Sequence, residues 1–275
     1  MDMMLFFETP FDWQLIEWCR NIGVKTVIMP MHECMPAKLP AVPDLMLCPS
    51  ALDYHCYKYG PCPALFLPVP ASDKVTWRER TRAYEWVHNA GHGGLRGRNG
   101  TKEVVEAWWY VKSPALLHVR SQSNYDEDIG RYTSIDRRIT YEVGTIPEDR
   151  LYSTGDVFIF PEKFNGLSLP LQEAHAAGML VMATDRFPNT QWLPMDPLIP
   201  VLGTHKARIG PPYREYDEAV IDPVMIAKCV DNWYGKEISH YSLLGKEWSK
   251  CCSWSVLHRQ YIDVLEELVG GAKCV

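Results

Sequence analysis

Two stretches of this 275-residue chain carry residue types at spacings suited to holding an anion or a polyhydroxyl ligand. The first is the run from Asn89 to Gly100, where five glycines (Gly91, Gly93, Gly94, Gly97, Gly100) are interleaved with His92, Arg96 and Arg98. Between a strand and a helix, such glycines let the backbone approach a ligand, and amides at the start of the helix point at an anion. Each arginine adds a planar fork that can hold two phosphate oxygens. The run follows neither the dinucleotide-binding nor the P-loop glycine pattern, and a glycine-rich turn of purely structural origin fits it equally well.

The second stretch runs from Gly155 to Asp185 and reads as a buried strand, a loop and a helix whose start is marked by Ser168 and Pro170. Leu167, Leu171, Ala174 and Gly178 share a face directed at a sheet. Glu173 lies within this small-residue helix, where an unpaired charge is costly unless it meets a polar partner. A ribose with two hydroxyls is such a partner; a glutamate facing solvent is the plain alternative. Further upstream, His32 and Glu33 follow the first clear strand, and in an α/β domain the carboxyl ends of the strands line the crevice. They are candidates for a reactive site, although a histidine after a strand more often has a structural role. His88 and Asn89 end a strand in the same manner, and Trp192 and Tyr213 have rings that could stack on a sugar or base.

The elements that must position these residues alternate. Phe11–Ile22 has helical apolar spacing, Val24–Met29 is a β-branched run, and Asp44–Cys48 is a short apolar strand. Ser50 caps a helix reaching about Tyr59, with Asp53 in its first turn, and Ala64–Val69 forms a third strand. After a polar connector at 71–83, a second series follows. It comprises strands at 85–88, 115–119, 138–143, 156–160 and 179–183, helices at 101–111 and 168–178, and a short helix at 148–152. Helices at 223–232 and 246–268 close the chain. Alternating strands and helices predict parallel sheets in doubly wound α/β domains. Trp108 reads as core and Trp109 as half-exposed.

With 47% hydrophobic and 23% charged residues, the composition excludes a disordered or fibrous chain. The apolar runs are too short to span a bilayer, and no basic leader precedes them, so a cytoplasmic protein is expected. Nine cysteines in no C-x-x-C pair read as reduced thiols, and no set has zinc-ligand spacing. The net charge is −6, yet residues 74–102 hold seven Lys/Arg against two Glu, a local excess of +5. Such a patch suits a phosphate or one face meeting a polyanion; a solvated helix face is the bland reading.

The 155–185 stretch resembles the donor-site signature of the family 4 glycosyltransferases with the GT-B fold, the E-x(7)-E motif. Asn165-Gly166-Leu167-Ser168-Leu169 matches Glu-Gly-Phe-Gly-Leu, and Glu173-Ala174 matches the second Glu-Ala. Gly178, Val181, Ala183 and Thr184 continue the match. His92 with Arg98 resembles the pair that clamps the donor diphosphate, and Cys252-Ser-Trp-Ser resembles the Ser-Trp that opens the last helix. The likeness covers about residues 85–265.

It implies a retaining glycosyltransferase that needs no metal or other cofactor and takes a UDP- or GDP-sugar as co-substrate. Glu173 would bind the ribose hydroxyls. The amides of Gly166, Leu167 and Ser168 would hold the distal phosphate, Arg98 and the loop Gly91-His92-Gly93 would meet the diphosphate, and Thr145-Ile146-Pro147 would lie near the base. Arg120 stands where the family has glycine and reads as an extra phosphate or base contact.

Two departures stand out. Asn165 replaces the first glutamate beside the donor sugar, and Glu162 is the nearby acid. The N-terminal domain is also about half the usual acceptor domain. The expected organisation is two Rossmann-like domains, at 1–75 (reduced, acceptor side, with His32 and Glu33) and 76–245 (nucleotide sugar), then a C-terminal helix at 246–275. A reduced first domain leaves room for a large acceptor, either a glycan or a hydroxymethylated base in DNA, or for a second copy of the chain forming a homo-oligomer. A non-catalytic nucleotide-sugar-binding protein and a subunit of a larger glycosyltransferase complex are the alternative readings.

Overall fold

The computed structural model describes residues 2–122, 135–191, 197–208 and 214–270. Trp192, Tyr213 and the side chain of Arg96 lie outside the described residues. The chain forms two compact units, one of Met1–Pro70, Lys206–Asp217 and Trp254–Val275, the other of Ala71–His205 and Glu218–Ser253.

The first unit holds a four-stranded sheet of β1 (Met3–Glu8), β2 (Lys25–Pro30), β3 (Leu45–Cys48) and β4 (Ala64–Phe66), parallel and in that spatial order. Successive strand residues face opposite sides, so Ile28 and Met46 join Phe6, Ile16 and Tyr57 in one core layer. Val27, Leu45 and Leu47 face the other side. That first layer includes side chains of α1 (Gln14–Asn21) and α2 (Ala51–Tyr57). Ser50 caps α2 as its sequence predicts, its Oγ accepting from the Asp53 amide at 3.0 Å. β1 is absent from the sequence-based expectation because it is an edge strand with one buried residue, Phe6, and so shows no alternation.

The second unit is built on six parallel strands. Their order is β10 (Leu198–Ile199), β9 (Leu180–Thr184), β8 (Val157–Phe160), β5 (Glu85–Gly91), β6 (Leu116–Ser121), β7 (Ile139–Val143). Every residue of β8 and β9 is buried, which is why both read as unbroken apolar runs. The helices are α3 (Thr101–Ala107), α4 (Leu169–Ala176), α5 (Pro223–Trp233) and α6 (Ser239–Cys252). Trp108 is fully buried, its ring 6.4 Å from that of Trp86, while Trp109 is half-exposed. β11 (Val201–Ala207) and β12 (Tyr216–Ile221) form a separate two-stranded ribbon, unforeseen because β11 buries no residue fully.

Two expectations need correction. The single helix expected over 246–268 is two, α6 and α7 (Trp254–Gly270), divided at an extended Ser253 (φ −79°, ψ 161°). Here the Cys252 carbonyl accepts from the Ala71 amide at 2.8 Å, so it is used in a bridge instead of a helical turn. The stretch 71–83 is more than a connector. Arg80 within it is 2% exposed and donates to the carbonyls of Tyr152 (2.6 Å), Arg78 (2.8 Å), Gly155 (3.3 Å) and Ala177. No described helix is long and apolar enough to cross a membrane, and the eight described cysteines are free thiols.

Candidate functional site

In the six-stranded sheet the winding direction reverses at β5, which lies between β6 and β8. The carboxyl ends of strands flanking such a reversal leave a crevice. A cavity of about 200 Å³ occupies this position. Its walls include Asn89 and Gly91 at the end of β5, Arg120 at the end of β6, Ile146 after β7, Phe160 of β8 and Glu173 on α4.

Glu173 is the acid of this cavity. Its Oε2 accepts the Tyr152 hydroxyl at 2.7 Å, and Oε1 has no partner among the described residues. Burial raises the Glu173 pKa, the Tyr152 bond opposes that rise, and the charge of Glu148 adds to it. Tyr152 is itself buried, which with the neighbouring Glu173 holds its phenol well above the ordinary range. Asn89 lines the cavity, and its Oδ1 is buried without a partner among the described residues.

Arg120 reaches the cavity, but its guanidinium binds the chain. It donates to the Leu151 carbonyl and to Thr154 Oγ1 (2.6 Å), tying β6 to the turn that carries Tyr152. Burial lowers its pKa.

The glycine loop owes much of its composition to packing. Gly100 has φ +74°, and a Cβ there would collide with the Pro161 carbonyl. Gly93 and Gly97 lie so close that a Cβ on Gly93 would meet the Gly97 Cα at 2.8 Å. Gly91 lines the cavity with φ +61°. His92 is exposed, and Arg98 is half-buried with its charge acting on Glu162.

Asn165 turns into its own loop. Its Oδ1 accepts from the amides of Leu167 and Ser168, both at 3.0 Å. Two of the three amides expected to hold a phosphate are therefore engaged by a side chain, while the Gly166 amide has no acceptor among the described residues. Ser168, in the left-handed region at φ 49°, donates its hydroxyl to Glu162 Oε2. Glu162 is fully buried and paired with Arg186 at 2.9 Å. Its burial raises the pKa and the Arg186 charge opposes the rise. His88 is a core residue, with its ring nitrogens 2.8 Å from the Ile159 carbonyl and from Thr101 Oγ1.

In the first unit, His32 and Glu33 sit in the turn after β2, as the strand ending predicts. Glu33 is 1% exposed. Burial and the Arg214 charge lower the His32 pKa, and Glu33 opposes them. Asp53 is pushed up to about 7 by burial, with Glu33 adding to the rise and its bond to Ser50 opposing it. No group of three or more His, Cys, Asp or Glu among the described residues is arranged to hold a metal ion.

Comparison with solved structures relates this arrangement to known proteins. The GtfA/B complex superposes with a TM-score of 0.71 at 13% identity, over 97% of this chain and 57% of that one. The pneumococcal O-GlcNAc transferase GtfA, in complex with UDP and GlcNAc, gives 0.65 at 12% identity, over 96% and 57%. The sucrose-phosphate synthase of Thermosynechococcus elongatus gives 0.69 at 14% identity, over 98% and 74%. The fold is that of the GT-B glycosyltransferases. This chain spans little more than half the length of the first two of these proteins. No family model and no curated protein matches the sequence.

In this GT-B chain, the cavity brings together Glu173, Arg120, Gly91, Asn89 and Ile146 of the sequence-predicted residues. Sequence reasoning missed Tyr152, the closest partner of Glu173, because it lies 21 residues away at the end of a stretch read only as a short helix. It also missed the Arg186–Glu162 pair, since an arginine after a strand gives no hint of its partner.

Proposed function

We propose that this chain transfers a sugar, with retention, from a UDP- or GDP-sugar to a hydroxyl acceptor. The observation that carries the reading is the cavity at the winding reversal, with the Glu173 carboxylate in its wall and Oε1 unengaged. A carboxylate accepts two hydroxyl donors at once, which suits the vicinal diol of a ribose. Arg98 neutralises charge on the departing diphosphate, and the Gly166 amide adds a fixed donor beside it. Positioning and charge neutralisation, rather than a strong base, then supply most of the rate. His32 and Glu33 are assigned to the acceptor side.

A glycan is the favoured acceptor over a hydroxymethylated base in DNA. Within the basic stretch, Arg80 is buried, Lys74 pairs with Glu148, Lys102 with Glu106, and Arg82 donates to the Gly235 carbonyl. Four of the seven cations in this stretch are thus buried or engaged by a neighbouring group. A gel shift with duplex DNA at low salt is expected to be negative.

The test is release of nucleoside diphosphate from UDP-, GDP- and ADP-sugars by the wild type and Glu173→Ala in parallel. Slow hydrolysis of one donor, lost in the variant, supports the reading. A second reading, donor binding without turnover, is favoured by Asn165, whose side chain is engaged by its own loop. It predicts binding with no release when acceptors are supplied.

A further inference from the structure

The Glu173 carboxylate is held in a defined attitude by a residue outside the motif that contains it. The Tyr152 hydroxyl donates to Oε2 at 2.7 Å. That phenol has little freedom. The residue is 3% exposed, its ring packs edge-on against Phe158 with centroids 5.6 Å apart, and its carbonyl accepts from Arg80 Nη2 at 2.6 Å. On either side of it, Arg120 holds the Leu151 carbonyl and Thr154 Oγ1. A fully buried arginine and a cavity-lining one thus fix the turn that carries a single hydroxyl to one oxygen of one acid. Oε1 is left as an acceptor, and Asn89, whose side chain also bonds the Tyr152 phenol, lines the same cavity.

We propose that Tyr152 is a positioning residue for Glu173, fixing the carboxylate plane so that Glu173 accepts the ribose diol of a nucleoside diphosphate. The inference rests on the donor-site reading above. The phenol acts as a permanent donor to Oε2, so the carboxylate stays oriented before ligand arrives, and less side-chain freedom is lost on binding. Because the bond is made to the ionised acid, it also favours ionisation against the burial that disfavours it. The charged and titratable groups acting on Glu173 and Tyr152 are each other, Glu148 and Arg120.

The experiment is calorimetric titration of wild type, Tyr152→Phe and Glu173→Gln with UDP, GDP and ADP, then with the 2′-deoxy form of the best ligand, from pH 5 to 8. Tyr152→Phe is expected to weaken the ribonucleotide about tenfold, the scale of a hydrogen bond to a charged group, and the deoxy form much less. The pH at which binding is half-maximal should move upward in Tyr152→Phe and vanish as a transition in Glu173→Gln. Equal weakening of both nucleotides with an unmoved pH profile means a merely structural tyrosine and overturns the proposal. Unchanged affinity overturns it also. Wild type that binds none of the three diphosphates overturns the donor-site reading, and this proposal with it; wild-type binding with an unaffected Tyr152→Phe overturns this proposal alone.

Discussion

Arg186 Nη2 lies 2.9 Å from Glu162 Oε1 beneath the loop that leads into α4, the carboxylate wholly buried and the guanidinium nearly so. The arginine also donates to the Asn165 carbonyl at 3.1 Å, and Glu162 accepts the Ser168 hydroxyl. The pair therefore anchors both ends of the Asn165–Ser168 turn. Glu162 is the acid nearest to the position where the resembled motif has its first glutamate, yet its charge is directed at Arg186 and away from solvent.

Removing one partner of this pair leaves a buried charge uncompensated. Glu162→Gln should lose about 3–5 kcal/mol of stability, and the double variant Glu162→Gln/Arg186→Met should recover a large part of that loss. Urea unfolding of the three proteins checks both numbers.

Asn165 contributes through the two amides its Oδ1 accepts. Asn165→Asp keeps the acceptor and should melt close to wild type, whereas Asn165→Ala should cost about 1–2 kcal/mol. Melting temperatures of the two variants, measured side by side, decide the matter. An alanine variant as stable as wild type would show that the turn does not depend on this side chain.

Gly100→Ala would place a methyl group against the Pro161 carbonyl at a residue with φ +74°. The backbone strain alone is about 1–2 kcal/mol, and the collision adds to it. Gly23, also at positive φ but with open space around it, should lose only the strain when changed to alanine. Paired denaturation curves measure the difference.

The surroundings of two buried histidines and of one buried aspartate should respond to pH in opposite senses. His88 and His175 are lowered to about 4 by burial, from an ordinary value of 6.5. A group depressed in this way stabilises the fold above 6.5, and that contribution is lost as pH falls toward 4, at up to about 1.4 kcal/mol per pH unit for each histidine. Asp53 is raised from 3.8 to about 7, so its contribution is full below 3.8 and is lost as pH rises through 7. Hydrogen exchange across pH 4–8 should show the segments around His88 and His175 loosening toward acid. The region around α2 should loosen toward neutrality, and Asp53→Asn should flatten that second trend.

How much of this was legible beforehand depended on whether the determinant was local. The buried strands β8 and β9 and the position of Glu173 were readable because their signals lie within 30 consecutive residues. The Ser50 cap was readable for the same reason. β1 and β11 were not, because strands that bury one residue or none show no alternation. The break at Ser253 depends on Ala71, far away in sequence, and the Tyr152–Glu173 bond depends on ties from Arg80 and Arg120. Asn165 was legible as a departure from a motif, but its capping of its own turn was visible only in three dimensions.

The helix α7 packs Tyr261, Val264, Leu265 and Leu268 against Val27, Leu45 and Leu47 of the first sheet. One face of that sheet is thus supplied by residues over two hundred positions later in the chain. On the ribosome, β1 to β4 emerge long before α7 exists, and the second unit, apart from the tip of its ribbon, is synthesised in the interval. The first sheet must pass that time with an apolar face uncovered, a state prone to misassociation. A nascent chain arrested before residue 254 should therefore recruit chaperones in proportion to this bare face, and release them once α7 clears the exit tunnel.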